Sequence, residues 1–275
     1  MTTLDVESLK TVHRATWAAG DYAAVAEVVD GVALHLVERV GVSAEHRTLD
    51  VATGTGNVAV HTAAAGAPTT GIDLTPELLE IARTRAGELG VDVEWLEGDA
   101  ERLPFEDAAF DRVLSALGVQ FTPRHDLTAR ELVRVCAPGG VIGLANWTPE
   151  GVIGELFAIM GRYLPPPPAY ASAPPLWGSE EHVRELFAAH DVDLELERAT
   201  TSFRFDSAEH YVSFMETNYG PMLKARERLS PEGRWDDCRR ELVQMMERRD
   251  ESVDGSLLVP AEYLVVIARR RSTAR

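Results

Sequence analysis

Residues 49–60, LDVATGTGNVAV, decide the fold. An apolar strand carrying Asp50 runs straight into a turn with Gly54 and Gly56, and helix-period sequence follows. Glycines at such a turn let the chain take tight conformations and let a ligand approach without a Cβ in the way. The helix that follows aims unpaired backbone N–H groups outward. Working outward from this unit, strand and helix patterns alternate from residue 48 to about 147. The strand segments are TLDVA (48–52), TTGID (69–73), VDVEWLEGD (91–99), FDRVLSAL (110–117) and GVIGLANW (140–147). Such alternation predicts an α/β fold with a parallel, doubly wound sheet. Thr75-Pro76-Glu77 reads as an N-cap, a first-turn proline and an early acid, which leaves Asp73 free of capping duty.

Beyond residue 148 the pattern changes. EGVIGELFAIMGRYL reads as a helix, Pro165 to Pro175 as a loop, and SEEHVRELFAAH (179–190) as a helix capped by Ser179. The run from Asp191 to Glu197 alternates acids with Val192, Leu194 and Leu196, as an edge strand with one wet face does. YLVVIA (263–268) is apolar throughout, as a strand covered on both faces would be. Residues 207–250 between them read as amphipathic helices.

Composition narrows the partners. The 275 residues are 45% hydrophobic, enough for one sizeable core. With 27 basic and 44 acidic side chains, net −17, the surface repels phosphate backbones and anionic lipid. Nucleic acid and membrane partners are therefore disfavoured. No leader pattern opens the chain, and no run approaches the roughly 18 apolar residues of a spanning helix, so a cytoplasmic protein is expected. Cys136 and Cys238 stand far apart without CxxC spacing, which indicates neither a metal knuckle nor a disulfide framework. Lysine occurs only at Lys10 and Lys224 in an arginine-rich chain, a bias ascribed to coding composition and not to function.

The glycine turn admits two nucleotide cofactors. Gly54-Thr55-Gly56-Asn57-Val58-Ala59 satisfies a permissive dinucleotide fingerprint, and Asp73 ends the next strand where a ribose-binding acid belongs. Three features favour S-adenosylmethionine over NAD. Asp50 would crowd a pyrophosphate but attract an ammonium or sulfonium; Gly98-Asp99-Ala100 precedes Leu103-Pro104-Phe105, a polar-then-apolar pair suited to adenine; and Ala137-Pro138-Gly139-Gly140 precedes the fifth strand. With LDVATGTGN, GIDLTPELLEIAR, GDAERLPFEDAAFDRVLS and ELVRVCAPGGVIGLANW in order, the chain resembles the class I S-adenosylmethionine-dependent methyltransferases. It is most similar to their ubiquinone/menaquinone biosynthesis (type 11) small-molecule group, over roughly residues 35 to 150.

The resemblance implies a Rossmann-like seven-stranded sheet whose last strand is antiparallel and inserted inside the edge strand, in agreement with the wet and dry strands above. It implies that Ala52, Thr53, Gly54 and Gly56 hold the methionine part of the cofactor and that Asp50 orients its amino end. Asp73 would accept the ribose hydroxyls, Leu74 would pack on adenine, Asp99 and Ala100 would meet its polar edge, and Ser115 would stand near the methionyl group. Ala52 departs from the glycine that many members carry there. The implied organisation is an N-terminal helical lid at 1–34, a cofactor-binding core at 35–150, and acceptor-pocket helices with the final strands of the same sheet at 151–275.

The implied activity is methyl transfer to a small-molecule acceptor through an O, N or C nucleophile, with a homo-oligomer allowed. An NAD(P)-dependent oxidoreductase and a non-catalytic nucleotide-binding module are the alternatives. Catalytic candidates are Tyr22 and His125, with Tyr163, His210 and Tyr219 as further bases between which the sequence does not choose. His125-Asp126 reads as a helix start capped by Asp126, and Gly20-Asp21 as a break between two short helices with Asp21 as cap. Phe157, Phe187 and Phe214 read as core. No metal is expected, since no acid follows strand four in LSALGVQF. The acceptor pocket should draw on the N-terminal helices, residues 118–121, 148–180 and 203–222.

Overall fold

The computed structural model describes residues 3–272. Its centre is a seven-stranded sheet in the order β3-β2-β1-β4-β5-β7-β6. The strands are β1 (Thr48–Val51), β2 (Thr69–Asp73), β3 (Glu94–Glu97), β4 (Phe110–Ala116), β5 (Cys136–Trp147), β6 (Val192–Phe205) and β7 (Leu257–Arg270). β1 to β5 run parallel, and β7 lies antiparallel to both β5 and β6. The order reverses between β1 and β4, so the carboxyl ends of these two strands open a crevice. The turn at residues 52–56 stands at its rim.

β7 shows why the sheet closes in this order. Tyr263, Val265 and Ile267 enter one core, and Leu264, Val266 and Ala268 enter the other, so a strand apolar on both faces belongs inside the sheet. Its neighbour β6 exposes Asp193, Glu195 and Glu197 at the edge. The helices are α1 (Thr3–Trp17), α2 (Tyr22–Val40), α3 (Asn57–Ala64), α4 (Pro76–Leu89), α5 (His125–Val135), α6 (Val152–Tyr163), α7 (Glu180–Phe187), α8 (Ala208–Asn218), α9 (Gly220–Leu229) and α10 (Trp235–Arg248). α2, α6, α8 and α10 cover one face through Leu36, Leu156, Val212 and Met246. α5 and α7 cover the other through Leu132 and Phe187.

Several local expectations are corrected. α2 is one 19-residue helix that runs through residue 34 and ends on Gly41 at φ 67°, so the joint at Gly20 separates two full helices rather than two short ones. Asp21 sits at its N-cap without a side-chain bond to the helix. α5 starts at His125 with Arg124 as N-cap, and Asp126 lies in its first turn, where a carboxylate faces the positive helix end. Thr75 precedes α4 but its side chain makes no cap bond, and Asp73, expected to be free, accepts from Thr75 N through Oδ1 at 2.8 Å. β3 keeps only four residues of the expected nine, being an outer strand paired on one side alone. Ser179 caps α7 as expected, accepting from His182 N.

Candidate functional site

The turn after β1 is built around two buried acids. Asp50 points beneath it, 1% exposed, and its Oδ2 accepts from Thr53 Oγ1 at 2.5 Å and Ala59 N at 3.0 Å. Burial pushes this carboxyl up to about 7, against the opposing pull of those two donors. Asp73 closes the turn from β2, where its Oδ2 accepts from Gly54 N at 2.8 Å. Burial raises its pKa as well, while the donors from Gly54 and Thr75 lower it. One acid thus ties the turn to α3 and the other ties it to α4. Gly56 opens α3 at φ 86°, and a Cβ there would come within 2.7 Å of Trp95 Cη2, so the glycine is required by the Trp95 ring. Ala52 takes φ 54°, the left-handed region that costs an L-residue about 1–2 kcal/mol.

A cleft opens over the turn. Of the ten residues expected to hold a cofactor, Ala52, Gly54, Asp73, Leu74, Asp99 and Ala100 line it. Asp50, Thr53, Gly56 and Ser115 do not, and each has a structural reason. Asp50 and Thr53 bond to one another under the turn, Gly56 faces Trp95, and Ser115 is fully buried with its Oγ accepting from Val119 N at 3.2 Å.

The cleft's roof comes from α1. Lys10, buried at 6% exposure, places Nζ 2.5 Å from Asp99 Oδ2 and 2.6 Å from Glu101 Oε2. Glu101 is also held by Arg124, whose backbone N donates to Oε1 at 2.6 Å and whose Nη2 donates to Oε2 at 2.6 Å. Arg14 donates from Nε to Leu74 O at 2.8 Å and pairs with Glu97. His13 lines the cleft beside them, its pKa lowered by burial and raised in part by Glu101. Lys10, His13, Arg14, Glu101 and Arg124 were given no site role from the sequence. The available signal was the spacing Lys10, His13, Arg14, Trp17, which puts a cation, an imidazole and an indole on one helical face. Lys10, set aside above as coding bias, is the buried lysine of the pair.

A second, small cavity lies on the far side of Tyr22, Leu117 and Phe121, which line both spaces. Its lining comes from α2, residues 117–121, Trp147, α6, β6 and α8, close to the segments expected for an acceptor pocket. Phe214, read from the sequence as core, lines this cavity, and Phe157 lines an apolar groove beyond Trp17. Phe187 is core. At the boundary Trp17 packs edge-on against Tyr22 at 5.6 Å and Tyr219 at 5.9 Å between ring centroids.

The base candidates separate cleanly. Tyr22 stands between the two spaces, and Tyr219 lines the second. His125 reaches neither. It is 1% exposed, its Nδ1 lies 3.1 Å from His182 Nε2, and its Nε2 donates to Gln120 O at 3.3 Å. Burial, with His182 adding to it, holds its pKa down at about 4, so the ring is neutral at pH 7. Tyr163 donates to Glu241 Oε1 at 2.6 Å, and His210 pairs with Asp206 on the surface. Among the described residues no group of three or more His, Cys, Asp or Glu side chains is arranged to hold a metal ion, and no helix is long and apolar enough to cross a membrane. Cys136 and Cys238 are both buried thiols.

Comparison with known proteins agrees with this geometry. Residues 49–144 match the family described as "Methyltransferase domain". An uncharacterized protein of Mycobacterium tuberculosis (strain ATCC 25618 / H37Rv) is 45% identical over 217 residues, 78% of this chain and 79% of the relative. The demethylmenaquinone methyltransferase of Thermus thermophilus is 40% identical over 127 residues, 44% of this chain and 58% of that enzyme. Among solved structures, the YcgJ protein of Bacillus subtilis superposes with a TM-score of 0.61 at 19% identity, covering 88% of this chain and 99% of its own. A putative methyltransferase from Bacillus halodurans gives 0.61 at 22%, covering 87% and 99%; at these identities the likeness is one of fold. The chain belongs to the class I S-adenosylmethionine-dependent methyltransferases, in the type 11 group.

Proposed function

We propose that this protein transfers the methyl group of S-adenosylmethionine, held in the cleft over the glycine turn, to a small molecule held in the second cavity. The observation that carries this reading is the shared wall: Tyr22, Leu117 and Phe121 border both spaces at the carboxyl ends of β1 and β4. The cleft suits an adenosyl group. Asp73 presents a buried carboxylate for a ribose diol, Leu74, Leu78 and Ala100 offer apolar surface, and Asp99 offers an acceptor for an exocyclic amine. Asp50 contributes by fixing the turn rather than by touching the ligand.

When bound, the cofactor supplies a methyl already activated on a sulfonium. The chain's own task is to align the acceptor and to exclude water. Trp17, Tyr22 and Tyr219 form an aromatic cover at the junction, and α1 is pinned over the cleft by Lys10 and Arg14. Tyr22 is a poor base at pH 7, since burial first and Asp73 second raise its pKa. It acts here as a wall and a hydrogen-bond donor. The methyltransferase-domain match over residues 49–144 favours S-adenosylmethionine over NAD as the guest of this cleft.

Isothermal calorimetry with S-adenosylhomocysteine and NAD tests the reading. Micromolar binding of the former with no heat from the latter is expected, followed by label transfer from methyl-labelled S-adenosylmethionine to an acceptor found by screening. NAD binding without a response to S-adenosylhomocysteine would overturn it.

A further inference from the structure

His125 lines neither the cleft nor the second cavity, yet its buried ring makes two directional bonds. A backbone carbonyl only accepts, so the bond to Gln120 O puts the ring proton on Nε2. Nδ1 is then an acceptor, and His182 Nε2, 3.1 Å away, is the donor to it. Burial, with His182 adding to it, keeps a second proton off the ring at neutral pH. One tautomer is thus selected from both sides, and the indole of Trp177 packs against the ring at 5.5 Å between centroids.

The bond from Nε2 ends on the turn that walls both spaces. Gln120 lies in the 3₁₀ turn Val119–Phe121, and its side chain ties that turn on two sides, with Nε2 donating to Leu117 O at 2.9 Å and Oε1 accepting from Trp147 N at 3.3 Å. Leu117 takes φ 60°, a left-handed conformation strained for any residue with a Cβ. Its own N–H donates to Ala145 O at 2.7 Å, so both of its backbone groups are held. Gly118 has no room to shift towards β1, because a Cβ there would lie 2.4 Å from Ala52 O. Such strain persists only where the surroundings over-determine it, and it collects where geometry matters to function. The side chain on this strained backbone belongs to the wall shared by cleft and cavity.

We propose that His125 is a positioning residue for methyl transfer: fixed as the Nε2–H tautomer by His182, it holds the Gln120 carbonyl, and through that turn it sets where Leu117 stands between the donor methyl and the acceptor. The proposal rests on the methyl-transfer reading. His125 touches neither cofactor nor acceptor and takes no proton in the reaction. Its effect is on alignment, since a small displacement of this wall changes how often the acceptor stands in line with the S–CH₃ bond. The contacts that bind the adenosyl group come from Asp73, Leu74, Asp99 and Ala100 on other strand ends, and they stay in place.

The test uses the full chain with methyl-labelled S-adenosylmethionine, followed by proton–carbon correlation NMR, and nitrogen-labelled histidine to read the tautomer. In the wild type His125 should carry its proton on Nε2, in slow exchange with solvent, and the bound methyl should give one resonance distinct from free cofactor. His125→Phe keeps a ring but removes both bonds, so the bound methyl should move or broaden. In the same variant S-adenosylhomocysteine affinity should stay within about threefold, while kcat on an acceptor found by screening falls about tenfold or more. His125→Gln, whose amide N–H group reaches towards Gln120 O, should restore most of the wild-type methyl signal. His182→Phe should move the methyl in the same direction by less. A wild-type methyl signal in folded His125→Phe, a proton on Nδ1 in the wild type, or a loss of cofactor affinity large enough to account for the lost turnover would overturn the proposal. Should His125→Phe not fold, the wild-type tautomer and the His182→Phe methyl signal decide. If S-adenosylmethionine does not bind the wild type, the methyl-transfer reading falls and takes the proposal with it; if it binds and its methyl ignores both histidines, the proposal falls alone.

Discussion

Asp50→Asn is the perturbation that separates a turn-building acid from a ligand-binding one. The wild-type carboxyl is pushed up to about 7 by burial from its ordinary 3.8. Between those two values the folded chain holds a proton that the unfolded chain has already lost. Wild-type stability from this group is therefore full below about pH 4 and declines as pH rises through about 7. At 1.36 kcal/mol per unit, a rise of some three units corresponds to a loss on the order of 4 kcal/mol. Asparagine keeps an oxygen for Thr53 Oγ1 and Ala59 N but does not titrate. Urea denaturation at about pH 4.5, 6, 7 and 8, followed by tryptophan fluorescence, should show the variant no more stable than wild type at the acid end. It should become more stable than wild type by a few kcal/mol at the alkaline end. Because Asp50 does not line the cleft, S-adenosylhomocysteine affinity should barely change. A flat stability difference across pH, or a wild type that gains on the variant as pH rises, would refute the reasoning by showing that the two donors outweigh burial. A large loss of affinity in a folded variant would return Asp50 to the ligand.

Two further outcomes follow from the cleft. Lys10→Met removes the cation between Asp99 and Glu101, while Arg124 still pairs with Glu101. Removing one partner of a buried pair costs about 3–5 kcal/mol, and the loss should appear locally, as faster amide exchange in residues 3–17 with the sheet still protected. Unchanged exchange there would mean that Arg14 and Trp17 hold α1 without Lys10. Ala52→Gly relieves a φ of 54°, worth about 1–2 kcal/mol, against about 0.4–1 kcal/mol of added chain entropy in the unfolded state. The thermal midpoint should rise slightly, and a fall would show that the Ala52 methyl makes packing contacts worth more than the strain.

The wet edge of β6 and the two-sided burial of β7 were legible in the sequence because both follow from local pattern, whereas the insertion of β7 inside the edge strand was implied by the family resemblance. Alternation places Asp193, Glu195 and Glu197 on a wet edge, and an unbroken apolar run covers β7 on both faces. The location of the turn was legible for the same reason, since glycines after an apolar strand are a local signal. What each acid does there was not, because the direction of a side chain depends on its neighbours across the sheet. Asp50 is claimed by Thr53 and Ala59, which lie close in the chain, yet the same spacing would also suit an acid turned towards a ligand. Asp73 was expected to be free because Thr75 has the ideal cap residue type. The fold instead gives the Thr75 N–H to the carboxylate, which also takes Gly54 N, so one side chain organises two turns.

The roof over the cleft was the least legible part. Lys10, His13, Arg14 and Trp17 do form a stripe on α1, but a polar stripe reads as a solvent face until its partners are located. Asp99 lies 89 residues from Lys10, and Glu97 lies 83 residues from Arg14. Nothing local to either side predicts those pairs. Yet the apolar cleft beneath needs a cover, and strand ends edged with Asp73, Glu97, Asp99 and Glu101 repel most of a chain with 44 acidic side chains. The segment able to close over that acidic rim is one that brings cations to it. α1 does so with Lys10 and Arg14 on the face that also carries Trp17, and this places a desolvating indole at the junction of the two cavities. The charge pattern of the first helix is thus the complement of the strand ends it covers, and its aromatic residue is carried into place by that complementarity.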